Sequence, residues 1–187
     1  GARTEEFFEE LDPRGIGASL GQVHRGILRG GEAVAVKVRY PGIERALDAE
    51  LRLAGWLPSA GPVRRWGFDL GTYHRLLRRE LGREIDYLAE GERQERFRLA
   101  LAGDVIVVPR IHPELCRRDL LVQSWEGGET IAEAATWSLA ERLRLGQAAL
   151  RLLTRSIFVS GELHADPHPG NYRFRGGTRP QLVLYDF

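Results

Sequence analysis

The sequence predicts an α+β fold with two lobes, and three observations lead to this prediction. Residues 1–126 contain several strand patterns and one long helical pattern. Residues 127–187 contain a helical pattern, then a segment rich in proline and glycine, and then an apolar strand. The stretch Trp125–Gly128 between them ends in two glycines, which is typical of a turn. We therefore expect a first lobe over 1–126, a hinge, and the start of a second lobe over 127–187.

The strands follow from alternation and from turn residues. A glycine-rich stretch, "GIGASLGQVHRGIL", leads into a first strand. "EAVAVKV" is the second strand, and Gly30 and Gly31 form the turn between the two. Two further strands are predicted in "DVIVVPRI" and "DLLVQSW", and the last strand of the chain is "QLVLY".

Helices are predicted at three places. Residues 43–57 indicate a short helix that ends before Pro58, and residues 136–160 form the strongest helical pattern of the second part. The longest helix is predicted from Leu70 to Leu101, because apolar residues recur there at helical spacing. The residues of this stripe are Leu77, Leu81, Ile85 and Leu88. Prolines and glycines keep the segment "GELHADPHPGNYRF" out of helix.

Composition and charge narrow the class of protein. The 187 residues are 43% hydrophobic and 28% charged, which is ordinary for a globular domain. The net charge of +1 gives no reason to expect nucleic acid as a partner. The single cysteine, Cys116, cannot form a disulfide or a cysteine-rich metal site within the chain, which fits a reducing compartment. No apolar run approaches the roughly 20 residues that span a bilayer.

The chain contains no methionine, and it stops at "LVLYDF", directly after a strand pattern. A compact domain does not normally finish at such a point. We therefore expect a piece of a longer protein, with the C-terminal lobe truncated.

Lys37 stands out because it is the only lysine among 27 basic residues. In a strand its side chain points to the face opposite that of Val36 and Val38. One interpretation is a solvent-facing lysine on an edge strand. The other is an ammonium that binds phosphate as a compact point charge, a task for which a planar guanidinium is differently shaped. The exclusive use of arginine elsewhere favours the second.

The glycine-rich stretch "GIGASLGQV" lies one strand before Lys37. Its small residues would let backbone N–H groups approach an anion, as phosphate-binding loops do. A plain hairpin turn explains the same residues, since the stretch is neither a Walker A sequence nor a regular G-x-G-x-x-G.

The most specific pattern is "HADPHPGN" followed by "LVLYDF". Asn171 lies five residues after Asp166, and Asp186 comes fifteen residues later at the end of an apolar strand. Phosphoryl transfer in kinases needs an aspartate near the acceptor hydroxyl and an asparagine and a second aspartate that hold magnesium. Their oxygens are the hard ligands that this ion prefers.

Two other interpretations of this segment remain open. His164, Asp166 and His168 could bind zinc, since alternate residues of an extended segment share a face, but this leaves Asn171 and Lys37 unexplained. Alternatively the two histidines bond to backbone around a tight loop, which is compatible with phosphoryl transfer.

Taken together, the chain resembles the UbiB family of atypical protein-kinase-like proteins, which is linked to the biosynthesis of ubiquinone and other prenylquinones. The matching pieces run in the family's order over nearly the whole chain: "ASLGQVHRG", "VAVKVRYPGI", "EIDYLAEGERQERF", "VVPRIHPELC", "HADPHPGN" and "YDF". The resemblance implies a protein-kinase-like two-lobed fold and an ATPase or kinase activity, with ATP and Mg²⁺ as cofactors.

The resemblance also implies roles for individual residues. Lys37 is similar to the lysine that binds the ATP phosphates, and Asp166 to the catalytic-loop aspartate. The metal ligands would be Asn171 and Asp186. The family's alanine-rich loop, which binds nucleotide in place of a glycine-rich one, corresponds to Ala18, Ser19, Gly21 and Gln22. Its E-x-D motif corresponds to Glu84 and Asp86, and the glutamate that pairs with the lysine corresponds to Glu90.

Helical geometry leaves two partners open for Lys37. At 100° per residue, Glu84 borders the apolar stripe, whereas Asp86 and Glu90 share the opposite face. If the stripe packs on the strands, Glu84 is the easier partner. If the far face lines the cleft, Glu90 is, and the family pattern favours Glu90.

This chain departs from the family at several points. The family's N-terminal K-x-G-Q motif is missing, Gly17 stands at an alanine position, and Ser124 stands where relatives often carry an acidic residue. Aminoglycoside phosphotransferases have a similar "HxDxHPGN" loop and are the alternative family, although they lack "ASLGQV" combined with "VAVKVRYPG". A nucleotide-binding switch with negligible turnover is a further alternative.

The resemblance implies, finally, where the protein works and with what. A nucleotide is the expected ligand. Lipids or proteins of prenylquinone assembly are the expected partners, at the cytoplasmic side of a membrane to which the protein is peripheral.

Overall fold

The computed structural model describes residues 4–18, 20–46, 49, 71–72, 75–76, 78–79, 82, 85–101, 103, 105–161 and 168–186. In chain order the elements with defined bounds are β1 (Phe8–Leu11), β2 (Ile16–Gly17), β3 (Gly21–Leu28), β4 (Ala33–Arg39), α1 (Tyr87–Leu101), β5 (Ile106–Val107), β6 (Leu120–Ser124), α2 (Ile131–Ala134), α3 (Leu139–Arg155), β7 (Tyr172–Arg175) and β8 (Gln181–Leu184). A π-helical turn, Ser156–Ser160, extends α3.

Most of the first part of the chain forms an antiparallel sheet in the order β1-β3-β4-β6, and β2 pairs with β3. Gly30 and Gly31 form the predicted turn between β3 and β4, and both have positive φ, 113° and 85°. This conformation suits glycine because it has no Cβ. The strands at "GQVHRGIL" and "LLVQS" lie within the predicted segments, and "AVAVKVR" extends one residue, Arg39, beyond the predicted "EAVAVKV".

The second sheet has the order β5-β8-β7, with β5 parallel and β7 antiparallel to β8. Here β5 lies before residue 126 in the chain but pairs with the strand that ends at Leu184. The two parts of the chain are therefore interleaved at this sheet, and residue 126 does not divide the strands cleanly between them.

Two clusters of buried side chains correspond to the two sheets. The first contains Val34, Val36, Tyr87, Ile111, Cys116, Leu121 and Val122. The second contains Phe97, Leu101, Ile106, Val108, Ala134, Leu152, Phe174, Leu182 and Leu184. Helix α1 contributes to both, Tyr87 at its start to the first and Leu101 at its end to the second. One rigid helix thus connects the packing of the two sheets.

The long helix predicted from Leu70 to Leu101 is interrupted, which corrects the sequence prediction. Described residues between 71 and 82 are helical, but Ile85 lies in a turn and α1 begins at Tyr87. Asp86 supplies the reason: its Oδ1 accepts hydrogen bonds from the backbone N–H groups of Leu88 (3.2 Å) and Ala89 (3.3 Å). A side chain that satisfies these groups starts a new helix.

Three further differences concern β1, α2 and the start of α3. The acidic start of the chain contains the edge strand β1, and the short helix α2 was not predicted. The helix predicted over 136–160 is α3, and it begins at Leu139 rather than 136. Ser138 caps it in a reciprocal arrangement with Glu141. In the segment 43–57, where a helix is predicted, residues 43–46 and 49 are helical, and the others lie outside the described residues.

Candidate functional site

Lys37 lies in the middle of the first sheet. Its strand, β4, pairs on both sides, so Lys37 stands between Val23 of β3 and Leu121 of β6. The neighbouring Val36 points to the opposite face and is buried in the first core cluster. The interpretation of Lys37 as a solvent-facing lysine on an edge strand is therefore wrong, since its strand is central and its side chain is only 14% exposed.

The ammonium of Lys37 binds two carboxylates. Its Nζ lies 2.9 Å from Oε1 of Glu90 and 2.9 Å from Oδ1 of Asp186. Glu90 comes from α1 and is buried, whereas the Asp186 side chain, which follows β8, is 45% exposed. Residues 53 and 149 positions away in the chain thus meet at one cation.

The electrostatics of this cluster follow from one cation between two anions. Burial alone would lower the pKa of Lys37, but the Glu90 and Asp186 carboxylates outweigh it and hold the pKa above its ordinary value of 10.5. Burial raises the pKa of Glu90; Lys37 opposes this shift and Asp186 adds to it. Lys37 is therefore charged at neutral pH, on the wall of the sheet that faces Asp186.

The face of α1 that packs on the sheets mixes polar with apolar side chains, which explains why the apolar stripe gave no guide to it. The buried residues of the helix are Tyr87, Glu90, Gly91, Gln94, Phe97 and Leu101. Leu88, a member of the stripe, is instead 40% exposed. Gln94 is satisfied by Oε1 of Gln123 (2.6 Å) and the carbonyl of Pro109 (2.8 Å). The buried face therefore places Glu90 toward the strands.

The loop before β3 depends on a glycine at one position. The N–H of Ala18 donates to the carbonyl of Gly21 (2.8 Å), which closes the turn. A Cβ at Gly21 would collide with the carbonyl oxygen of Val38. Gln22 stands opposite Val38 in the strand register, so its side chain lies on the face opposite Lys37. Any contact of this loop with a ligand beside Lys37 would therefore use backbone groups at Gln22.

Asn171 and Asp186 lie at the same end of the second sheet. Asn171 precedes β7 and Asp186 follows β8, and these strands pair with Tyr172 opposite Leu184. The N–H of Tyr185 donates to the carbonyl of Asn171 (2.8 Å). Asp186 has φ of 62°, a left-handed conformation that is uncommon for a residue other than glycine and is often found at functional sites.

This end of the hairpin fits a magnesium ion by the chemistry of its donors. A carboxylate and an amide supply oxygen, the ligand type that Mg²⁺ requires, and the Asp186 side chain is partly exposed. Within the described residues no group of three histidine, cysteine or acidic side chains is arranged to hold a metal. Magnesium usually keeps several waters and completes its shell with phosphate oxygens, so two protein ligands are enough.

Two side chains of the second sheet region, Arg175 of β7 and Tyr185 after β8, donate hydrogen bonds to the predicted hinge. Arg175 donates from Nε to the carbonyl of Gly127 (2.8 Å) and from Nη2 to Oε2 of Glu126 (2.7 Å). The hydroxyl of Tyr185 donates to the carbonyl of Glu126. At Gly128 a Cβ would lie 2.9 Å from the Cβ of Arg173. The hinge is thus packed closely against the sheet that carries Asn171 and Asp186.

The structure places the Asp86 carboxylate away from the Lys37 cluster. The carboxylate of Asp86 caps α1 and lies 3.8 Å from Nε of Arg118 rather than at Lys37. Ser19, Glu84, His164 and Asp166 lie outside the described residues, so the structure describes no contact of theirs. Lys37 contacts both Glu90 and Asp186. Asn171 lies next to them, because its carbonyl accepts a hydrogen bond from Tyr185, the residue before Asp186.

Sequence reasoning missed Tyr87. Lys37 Nζ lies 5.1 Å from the centroid of its ring, which is within the range of a cation–π contact. Tyr87 is one helical turn before Glu90, and this spacing was the signal that could have placed it beside Lys37.

The chain is similar to known proteins over its whole length. The model of a family described as the ABC1 atypical kinase-like domain matches residues 1–187. "Atypical kinase COQ8B, mitochondrial" of Danio rerio is 30% identical over 171 residues, 91% of this chain and 27% of the relative. "AarF domain-containing protein kinase 1" of Xenopus laevis is 30% identical over 193 residues, which is all of this chain and 37% of the relative.

A solved structure extends the comparison to three dimensions. The complex of Rv3197 with erythromycin from Mycobacterium tuberculosis has a TM-score of 0.83 and 28% identity, covering all of this chain and 48% of that one. The chain spans about a quarter to a third of the length of these two curated relatives. In the part of the chain that the structure describes, no helix has the length and apolar character needed to cross a membrane.

Proposed function

We propose that this chain, which belongs to the ABC1 atypical kinase-like family, binds Mg–ATP between its two sheets and transfers the γ-phosphoryl group to water or to a small or lipid-like acceptor. The observation that carries the proposal is the contact of Lys37 with Glu90 and Asp186. A strand, a helix and a strand end from distant parts of the chain converge there on one cation, beside a loop that demands glycine.

Each side chain has a distinct task in this proposal. Lys37 binds the α- and β-phosphates, and Glu90 holds its ammonium in place, because a buried carboxylate fixes the direction of a flexible side chain. Backbone groups of the loop at Ala18, Gly21 and Gln22 approach the phosphates from above. Ser19 belongs to the same loop in sequence.

Asn171 and Asp186 would hold the magnesium ion, and Asp166 would orient the attacking hydroxyl or water. When bound, Mg²⁺ neutralises the charge that develops on the phosphate oxygens. Asp186 would contact both the metal and Lys37, so it ties the position of the ion to that of the ammonium. The E-x-D residues Glu84 and Asp86 are proposed to border the cleft, with Asp86 acting through the start of α1.

The biological role that we propose is support of prenylquinone biosynthesis, ubiquinone in particular, at the cytoplasmic side of a membrane. The support for this role is family membership and the kinase names of the relatives. Lipids or proteins of that pathway are the partners that the role implies.

Two alternatives use the same site. A nucleotide-binding switch would keep the Lys37 cluster but turn over ATP negligibly. A small-molecule kinase of the aminoglycoside phosphotransferase type would phosphorylate a cationic sugar. The zinc interpretation of His164, Asp166 and His168 predicts about one zinc per chain in metal analysis of the purified protein.

Single-turnover hydrolysis of Mg–ATP separates the enzyme from the switch. Wild-type protein should release phosphate, and the Asp166→Asn variant should bind ATP but release phosphate much more slowly. Equal rates for the two proteins would leave only the switch. A phosphorylated product from a panel of aminoglycosides would instead favour the small-molecule kinase.

A further inference from the structure

Tyr87 lies beside two parts of the candidate nucleotide site, the Lys37 ammonium and the backbone at Gly21. It is the first residue of α1 and stands one turn before Glu90, so the two side chains share a helix face. The residue is 1% exposed. Its ring lies beside the Lys37 ammonium, 5.1 Å from Nζ to the centroid, in addition to the two carboxylates that bind Lys37.

The hydroxyl of Tyr87 lies under the start of β3. A Cβ at Gly21 would come within 2.8 Å of Tyr87 Oη, so the hydroxyl faces the backbone at the end of the loop. Within the described part of the chain this hydroxyl is buried and has no hydrogen-bond partner. Burying an unpaired hydroxyl costs free energy, and phenylalanine would fill the same space without that cost. The hydroxyl therefore needs an explanation other than packing.

Burial, with two nearby carboxylates, keeps this hydroxyl a donor. The charged groups that act on the phenol are Lys37, Glu90, Asp186 and Arg39. Burial raises the pKa of the phenol; Lys37 opposes this shift, and the two carboxylates add to it. At neutral pH the group is an O–H for which the described residues supply no acceptor.

We propose that Tyr87 is a positioning residue of the nucleotide site. Its ring directs the Lys37 ammonium toward Glu90 and Asp186, and its hydroxyl donates to a backbone carbonyl beside Gly21 when nucleotide is bound. The first half of the proposal concerns the free protein. The second half rests on the proposed function.

The single lysine makes a direct test possible, because lysine labelled with ¹³C and ¹⁵N gives one side-chain signal in this chain. In the free protein the ε-methylene signal of Lys37 should be shifted upfield by the ring. Tyr87→Leu should remove most of this shift, whereas Tyr87→Phe should keep it. Tyr40→Phe, at a tyrosine that is 37% exposed, serves as the matched control and should change nothing.

Titration with Mg–ATP then tests the hydroxyl. Tyr87→Phe should melt at the same temperature as wild type or higher, yet bind Mg–ATP roughly three- to tenfold more weakly, as expected for one lost hydrogen bond. Equal affinity of the two proteins would overturn the role of the hydroxyl. An unchanged lysine signal in Tyr87→Leu would overturn the role of the ring.

These outcomes are separate from failure of the proposed function. If wild type binds no Mg–ATP while Tyr87→Leu moves the lysine signal, the nucleotide function and the role of the hydroxyl fail, and the positioning of Lys37 by the ring stands. Should Tyr87→Leu not fold, Tyr87→Trp, which keeps an aromatic face, must retain an upfield lysine signal for the ring's role to survive.

Discussion

Nζ of Lys37 lies 2.9 Å from Oε1 of Glu90, and this contact joins the central strand of one sheet to the helix that packs on both core clusters. Leaving either partner buried without the other is costly, on the order of 3–5 kcal/mol for a buried pair. The second carboxylate, Asp186, shares the cation but is much more exposed. The Lys37–Glu90 pair is therefore the more strongly constrained of the two contacts of Lys37.

The pKa of Lys37 gives the first prediction. The folded protein holds this proton more tightly than the unfolded chain, so the cluster adds stability below pH ~10.4, and this stability is lost only as pH rises through the higher folded pKa. The labelled lysine signal should not titrate up to pH 10. Glu90→Gln should lower the pKa of Lys37, and an unchanged titration in this variant would mean that Glu90 does not hold the ammonium.

Removal of the ammonium should separate folding from ligand binding. Mg–ATP at about 100 times its dissociation constant should add roughly 2.7 kcal/mol to the free energy of unfolding of wild type. Lys37→Ala should lower the stability of the free protein, because it leaves Glu90 buried and unpaired, and should lose the gain from Mg–ATP. Denaturant unfolding with and without ligand measures both effects.

A double variant provides the control for that experiment. Lys37→Met combined with Glu90→Gln removes both charges, so part of the lost stability should return while the gain from Mg–ATP stays absent. Should the double variant regain full stabilisation by Mg–ATP, Lys37 does not bind the nucleotide.

Asp186→Asn tests the metal ligand with little disturbance of the backbone. Asparagine tolerates the left-handed conformation at φ of 62° about as well as aspartate, so the fold should persist. Loss of the charge should raise the magnesium concentration needed for half-maximal ATP binding by about tenfold or more. Isothermal titration at a series of magnesium concentrations measures this, and identical magnesium curves for variant and wild type would exclude Asp186 as a ligand.

Two substitutions of glycine by alanine should have opposite signs. Gly21→Ala forces a methyl group into the carbonyl of Val38, which should destabilise the protein by about 1–3 kcal/mol and weaken nucleotide binding by displacing the loop. Gly146→Ala lies inside α3 with nothing within 4 Å of the new methyl group, so it should stabilise by about 0.5–1 kcal/mol. Thermal unfolding of both variants decides the comparison, and a neutral Gly21→Ala would contradict the close approach.

Much of this site could be predicted from the sequence because its residues are marked by local patterns. A single lysine in an alternating apolar strand indicates a specialised cation. The spacing of Asn171 and Asp186 around a strand-forming segment brings them to one end of a hairpin, which is a matter of short-range geometry. The α+β class and the kinase-like fold follow from the same order of motifs, and the comparisons confirm them.

Helical periodicity could not choose between Glu84 and Glu90, whereas the family pattern favoured Glu90, which the structure places at Lys37. Periodicity assumes that the buried face of a helix is its apolar face. In α1 the buried face carries Glu90 and Gln94, whose polar atoms are satisfied by partners more than ten residues away, while Leu88 is exposed. The start of α1 was missed for a related reason, since the cap at Asp86 ends a pattern that apolar spacing alone would continue.

Most strands of this protein, its glycine turn and its charged and amide side chains suited to phosphate and magnesium could be identified from the amino-acid sequence. Which of these residues meet depends on the fold, which brings Lys37 into contact with Glu90 and Asp186 and places Tyr87 beneath Gly21. The physical reason is that residues far apart in the chain are brought together by the packing of a helix on two sheets, and that packing depends on long-range contacts that no local pattern encodes.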